Sequence, residues 1–314
     1  MRHALENGRE LINSLRGTER LGLIIGPTTH PEAGKNICGP CCIEVPDWVA
    51  GRLGAYYLYF ADHAGDCIKM AYADHLTGPW QMVPGGVLTL DGFLDAYDHI
   101  ASPEIHIDNL KGLIRLYFHA RAHSLGRQQW SFSAISHDGL SFKPEVDYPL
   151  APFYLRVFAY QDSIFGITKG GNLWRSPDGI RPFEKGGNIF SPGLAKDLWH
   201  NFPGAARHFG LCLKGDYLEV FFSRIGDAPE RILRSVVELK RNDWFEWQCG
   251  EISEIIRPAE PFEGAALSLS SSASGPSSVG ENALRDPDVL STKNGDYLFY
   301  SVAGEKGIAL AKFV

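Results

Sequence analysis

No apolar run in this 314-residue chain is long enough to cross a membrane as a helix, so no membrane partner is expected. An excess of basic residues is also missing. With 30 Lys and Arg against 37 Asp and Glu, the net charge of −7 excludes a general nucleic-acid binder, which would carry a basic stripe. A disulfide framework is absent too, because three of the six cysteines crowd together at Cys38, Cys41 and Cys42. The opening stretch "MRHALENGRELINSL" is amphipathic and lacks the continuous apolar segment of a secretion signal. It reads as a short helix over about residues 4–16, and a reducing cytoplasm is the expected compartment.

One further absence concerns "NICGPCCIEVPDW" (Asn36–Trp48), which contains the Cys-Gly-Pro-Cys of thioredoxin-like redox centres. Redox chemistry there needs a helix after the first thiol, whose N-terminal dipole lowers the thiol pKa. The segment after Cys41 is β-branched and closes at Pro46, which predicts a strand. The cysteines are therefore expected to be small buried residues at the start of that strand.

The chain does have a repeat. "YYLYFADHAGDCIKMAYADHLTGPW" (Tyr56–Trp80) reads as strand, turn, strand, and tight turn into an aromatic. The order recurs at Leu113–Phe142, Ser163–Phe183, Tyr217–Trp247 and Tyr297–Val314. Each copy is preceded by another apolar strand: Cys41–Val45, Ile105–Ile107, Leu155–Tyr160, Phe209–Leu213, and Val289–Leu290 with its flanks. Asp-Gly turns at Asp138–Gly139 and Asp178–Gly179 separate the third and outermost strands. Five four-stranded units repeated in sequence predict an all-β, five-bladed β-propeller spanning residues 1–314 as one domain. The last unit lacks a fourth strand, and "LGLII" (Leu21–Ile25) is the segment expected to close the ring. "LSLSSSASGPSSVGENA" (Leu267–Ala283) predicts a long loop, about residues 265–284, between blades four and five.

The phrases "GPCCIEVPDW", "SPEIHI" (Ser102–Ile107) and "RDPDV" (Arg285–Val289) each lead into an innermost strand. With the "YYLYF", "IRLYF" and "YLFYS" strands that come after them, they resemble the five-bladed propeller glycosidases, the group of glycoside hydrolase families 43, 62, 32 and 68. The resemblance implies an Asp-Pro at the start of blade one, whose Asp is general base or nucleophile, with an Asp in a middle blade and a Glu acid beyond it. Here Gly39-Pro40 stands at the first position, and Tyr154 and Arg156 stand in blade three where the middle Asp is expected. The resemblance also permits one calcium-like ion on the channel axis near a histidine.

Propeller geometry brings two sets of residues to one face, the starts of inner strands and the ends of second strands. The first set offers His99, Glu104, Tyr154, Arg156, Arg207, His208, Arg285, Asp286 and Asp288. The second offers Asp62, His63, His119, Arg121, His123, Lys169, Arg224, Asp227, Glu230, Arg231 and Glu305. Glycoside hydrolysis needs two carboxylates flanking the bond. Asp286 is the expected base or nucleophile and Glu104 or Glu230 the expected acid. Arg156, Arg224 and Arg285 suit a carboxylate or sulfate on the sugar, since guanidinium pairs with planar anions. His63, His99, His119, Tyr154, His208 and Asp288 complete the expected binding set, with His208 and His119 the candidate ligands of a single calcium or zinc-like ion in the channel.

The leading expectation is a glycoside hydrolase acting on a small, acidic saccharide. A second is elimination from a uronate, with a base such as His208, His119 or Tyr154. A third is a non-catalytic glycan- or protein-binding propeller, which would show an exposed aromatic platform drawn from the seven tryptophans.

Overall fold

The computed structural model describes residues 16–190, 204–240 and 243–314; the expected helix about residues 4–16 falls almost wholly outside them. Five antiparallel sheets form a five-bladed β-propeller. From the channel outward, blade one runs Cys38–Glu44, Tyr56–Ala61, Cys67–Ala73 and Gln81–Met82, with Leu88–Thr89 pairing its third strand. Blade two runs Ala96–Asp108, Leu113–Ala122, Gln129–Ser136 and Lys143–Pro144, and Ala151–Pro152 pairs its third strand. Blade three is Arg156–Tyr160, Ser163–Thr168, Asn172–Ser176 and Glu184–Asn188. Blade four is Ala206–Lys214, Tyr217–Arg224, Ile232–Glu238 and Ser253–Ile256. Blade five takes three strands from the C-terminus, Arg285–Thr292, Gly295–Ser301 and Ile308–Phe313, and its outermost strand, Thr18–Ile25, from near the N-terminus. The ring is closed as "LGLII" predicts: Thr18 pairs with Phe313 and Ile25 with Ile308.

A blade is covered on both faces by its neighbours. Its middle strands therefore read as continuous apolar runs, "YYLYFA" and "YLEVFF", rather than alternating ones. The apolar core divides into five clusters, one at each blade interface. Turn chemistry locks adjacent blades. Asp138 and Asp178 each accept two backbone N–H groups of their own turn, leaving Gly139 and Gly179 at φ 74° and 78°. The carbonyls of those glycines accept the hydroxyls of Tyr59 and Tyr117 from the preceding blade, both at 2.9 Å. A Cβ at either glycine would meet that tyrosine oxygen at 2.7 or 2.5 Å.

The inner strands begin with related irregularities. In four blades the register with the second strand slips, between Cys38 and Cys41, Ala101 and Glu104, Ala206 and Phe209, and Arg285 and Asp288. The second residue of the repeated segment has left-handed φ at Gly39 (62°), Ser102 (52°), Tyr154 (60°) and Asp286 (49°). Cys-Gly-Pro-Cys is thus one of five mouth segments, alongside Ala-Ser-Pro-Glu (101–104), Phe-Tyr-Leu-Arg (153–156), Ala-Arg-His-Phe (206–209) and Arg-Asp-Pro-Asp (285–288). All six cysteines are free, and Cys41 lies within a strand rather than before a helix. Three non-glycine residues, Ser102, Tyr154 and Asp286, thus hold a left-handed conformation at one end of the channel.

Candidate active site

Two layers of side chains arise from these segments. The lower layer comes from their fourth residues. Glu104 bonds the Arg156 guanidinium at 2.8 Å and accepts the Val157 N–H of the next blade at 3.1 Å. Asp288 accepts the Cys42 N–H at 2.8 Å, again from the next blade round. Arg156 also donates to the Phe209 carbonyl at 3.0 Å, and Cys41 Sγ lies 3.8 Å from Glu104. These groups plug the channel. Glu104 and Arg156, expected to act as acid and as substrate ligand, instead hold four blades together.

One guanidinium faces two buried carboxylates there. Burial pushes Asp288 up to about 7, helped by Glu104 and opposed by Arg156. A carboxyl held above its ordinary value adds stability that is full below about pH 4 and lost as pH rises through 7. Asp288→Asn should therefore be more stable than wild type at pH 8, by on the order of 2–4 kcal/mol, and nearly equal to it at pH 4. Urea midpoints at the two pH values check this; a wild-type protein that gains stability between them in parallel with the variant would contradict it.

The upper layer lies at the mouth. Asp286 Oδ2 accepts from Gly39 N at 3.2 Å and from Ser301 Oγ at 3.0 Å, while Oδ1 contacts His208 Nδ1 directly. Although burial opposes it, the contact with the His208 ring and the nearby guanidinium groups of Arg207 and Arg285 hold Asp286 well below the usual carboxylate range. Burial lowers His208, with Asp286 opposing the shift. Its other ring nitrogen, Nε2, is buried with no hydrogen-bond partner among the described residues. Against the imidazole stands Tyr154, with ring centroids 3.9 Å apart, and burial raises the Tyr154 hydroxyl. His119 packs on the other side of Tyr154 at 4.9 Å, and His99 on His119 at 5.3 Å. Tyr154 therefore stands beside both His208 and His119, and the described groups near enough to share an ion do not include either imidazole.

Glu230 is buried in a third arrangement behind this layer. It bonds Arg207 at 3.0 Å, Arg285 at 2.8 Å and Ser223 at 2.7 Å. Arg285 reaches Glu281 and Glu305 as well, so this guanidinium serves the protein's own carboxylates rather than a ligand's. Arg224 lies over the Phe222 ring. Asp227 pairs with Arg231 at the hairpin tip.

A cavity of about 340 Å³ opens beside Tyr154, lined by His63, Arg121, Arg127, Gln128, Gln129, Phe153, Tyr154, Lys169, Ser274 and Gly275. No Asp or Glu is among these residues. Asp98 compensates Arg121 at 2.9 Å, and Lys169 sits over the Phe153 and Tyr154 rings. The serine-rich loop reaches this wall because Arg207 holds the carbonyls of Ala273 and Gly275, and Lys306 holds that of Ser277. Trp80, Trp174, Trp244 and Trp247 are packed inside the blades, and Trp199 lies outside the described residues. Sequence reasoning selects His63, Arg121 and Lys169 as strand ends. It misses Arg127, Gln128 and Gln129, which lie in and beside the turn between the second and third strands of blade two, although propeller geometry puts that turn on the mouth face.

Comparison with known proteins places these features in context. No protein-family model matches the chain. Among solved structures, a glycoside hydrolase superposes with TM-score 0.66 at 12% identity, covering 98% of this chain and 94% of its own. An alpha-L-arabinofuranosidase from Lactobacillus brevis gives 0.59 at 13%, covering 88% and 90%. A family-43 glycoside hydrolase enzyme from Xanthomonas citri, solved with xylotriose, gives 0.58 at 14%, covering 99% and 91%. These likenesses establish the five-bladed propeller fold of the family-43 type. Among the described residues no helix is long and apolar enough to cross a membrane. In sequence, an uncharacterized protein of Acanthamoeba polyphaga mimivirus is 36% identical over 297 residues, covering 88% of this chain and 83% of its own. The chain belongs to the same family as that mimivirus protein, built on the propeller fold of the family-43 glycoside hydrolases.

Proposed function

We propose that the protein is a carbohydrate-active enzyme of the glycoside hydrolase type that cleaves a glycosidic bond in a small acidic saccharide bound at the channel mouth. The observation that carries this reading is the cavity rich in Arg121, Arg127, Lys169 and His63, whose wall residue Tyr154 packs against the buried His208 of the Asp286–His208 contact. Cations around a concave site of this size recognise a carboxylate or sulfate on a sugar. The residues for that task are Arg127 and Lys169 rather than Arg156, Arg224 and Arg285. Asp286 keeps the proton of His208 on Nδ1 and leaves the Nε2 lone pair free to draw a proton from water or from substrate.

A second reading is favoured by one specific observation: no carboxylate lines the cavity among the described residues, whereas hydrolysis ordinarily uses two. If the sugar is a uronate, His208 can take the proton beside the carboxylate. The electrons form a carbon–carbon double bond, the glycosidic oxygen leaves, and Tyr154 supplies its proton. Product analysis on a panel of neutral and uronate oligosaccharides separates the two. Hydrolysis gives a new reducing end without ultraviolet absorbance, elimination gives an unsaturated uronate that absorbs, and no cleavage of any member would overturn both readings.

A further inference from the structure

Three groups of described side chains bring thiol, imidazole or carboxylate atoms within 4.8 Å of one another. Two of them are already neutralised by the protein. In Cys41, Glu104 and Asp288, the Arg156 guanidinium bonds Glu104. In Cys212, Glu219 and Asp296, the carboxylates bond Arg234, Lys214 and Arg16. The third, Cys38, His63 and Glu305, is the one that includes an imidazole, and the guanidinium nearest it, Arg285, is engaged more closely by Glu230 and Glu281. Among the described residues the cation facing it, besides His63 itself, is Arg285, whose Nη1 is 3.5 Å from Glu305.

We propose that Cys38, His63 and Glu305 form a binding site for a zinc-like divalent metal ion at the edge of the channel mouth. Thiolate, imidazole and carboxylate together are the donor set of such ions, and three protein ligands leave a fourth position open. His63 Nδ1 and Glu305 Oε1 are 3.6 Å apart. That matches the edge, about 3.3–3.8 Å, of a tetrahedron with arms of about 2.0–2.3 Å.

The surroundings are organised as a metal site requires. The Asn36 carboxamide touches all three ligand residues: Oδ1 accepts from the His63 backbone N–H at 2.8 Å and lies 3.6 Å from Cys38 Sγ, and Nδ2 donates to Glu305 Oε2 at 2.6 Å. The Ser277 N–H fixes the same carboxylate oxygen at 3.1 Å. Supports of this kind orient ligands, and losing one typically costs about 10–100-fold in metal affinity. His63 also lines the cavity, so the metal site borders the proposed saccharide site. The first cysteine of Cys-Gly-Pro-Cys thereby gains a role that is neither redox nor filler.

The test uses the full chain, stripped with a chelator, and needs no substrate, so it stands or falls apart from the proposed reaction. Titration with Zn²⁺ should give one ion per chain. Co²⁺ should give a tetrahedral spectrum with a thiolate charge-transfer band. Cys38→Ser should abolish that band, His63→Gln should weaken Zn²⁺ at least about tenfold, and Cys41→Ser and Cys212→Ser should change neither. His63→Gln keeps the test decisive if Cys38→Ser folds poorly. Absence of stoichiometric binding in wild type, or binding unchanged in both Cys38→Ser and His63→Gln, would overturn the proposal.

Discussion

Asp286→Asn is expected to lower turnover about 10³–10⁴-fold while the protein stays folded. An asparagine oxygen can still accept from Gly39 N and Ser301 Oγ, the two bonds that fix the side chain, and asparagine tolerates the φ of 49°. The change falls on the atom facing His208. A carboxylate oxygen accepts from Nδ1–H and leaves Nε2 as the base; a carboxamide N–H donates to Nδ1 and moves the ring proton to Nε2. On the proposed reading, the base is then occupied by a proton. Steady-state kinetics beside a thermal melt read the two consequences separately, and full activity in a folded Asp286→Asn protein would remove the Asp286–His208 pair from the chemistry.

Glu230→Gln is expected to do the reverse, destabilising by about 3–5 kcal/mol through loss of a buried charge that two guanidinium groups share. A whole domain has only about 5–15 kcal/mol to lose. Glu230 is fully buried between Arg207 and Arg285, and glutamine retains its shape but not its charge. Arg207 in turn holds the serine-rich loop at the mouth, so the damage should spread there. Denaturant midpoints measure the cost. A Glu230→Gln protein as stable as wild type but inactive would return Glu230 to the acid role that the sequence suggests.

Much of this molecule is legible in its residues. Blade number can be read from five recurrences of apolar strand pairs, because each blade must bury both faces against its neighbours and so keeps its strands apolar throughout. The ring closure by Leu21–Ile25 is implied by a fifth unit that ends one strand short. Asp286 and His208 are legible as well, being polar residues at the starts of apolar inner strands. The layers are not. Periodicity places Glu104, Arg156 and Asp288 along the channel, yet two residues along the segment separate Asp286 at the mouth from Asp288 in the plug, and the bulge that sets this depth appears only in the register of paired strands. Glu230 and Arg285 are misread for a related reason. Sequence shows each as a charge near the channel, whereas their mutual 2.8 Å contact depends on how blades four and five meet. The cavity cations Arg127 and Lys169 come from different blades, so no local spacing announces them as a set.

Selection of an acidic saccharide at the mouth of this propeller is the property on which the proposed function rests, and calorimetric titration is its sharpest check. Wild type and Arg127→Ala are titrated with a uronate-ended trisaccharide and with its neutral counterpart. A charge-assisted hydrogen bond contributes about 1.5–3 kcal/mol, so the uronate should bind about tenfold or more tighter than the neutral sugar. Most of that margin should vanish in Arg127→Ala. Equal affinity for the two sugars, or a preference that survives the loss of Arg127 unchanged, would rule out recognition of the acidic group by these cations.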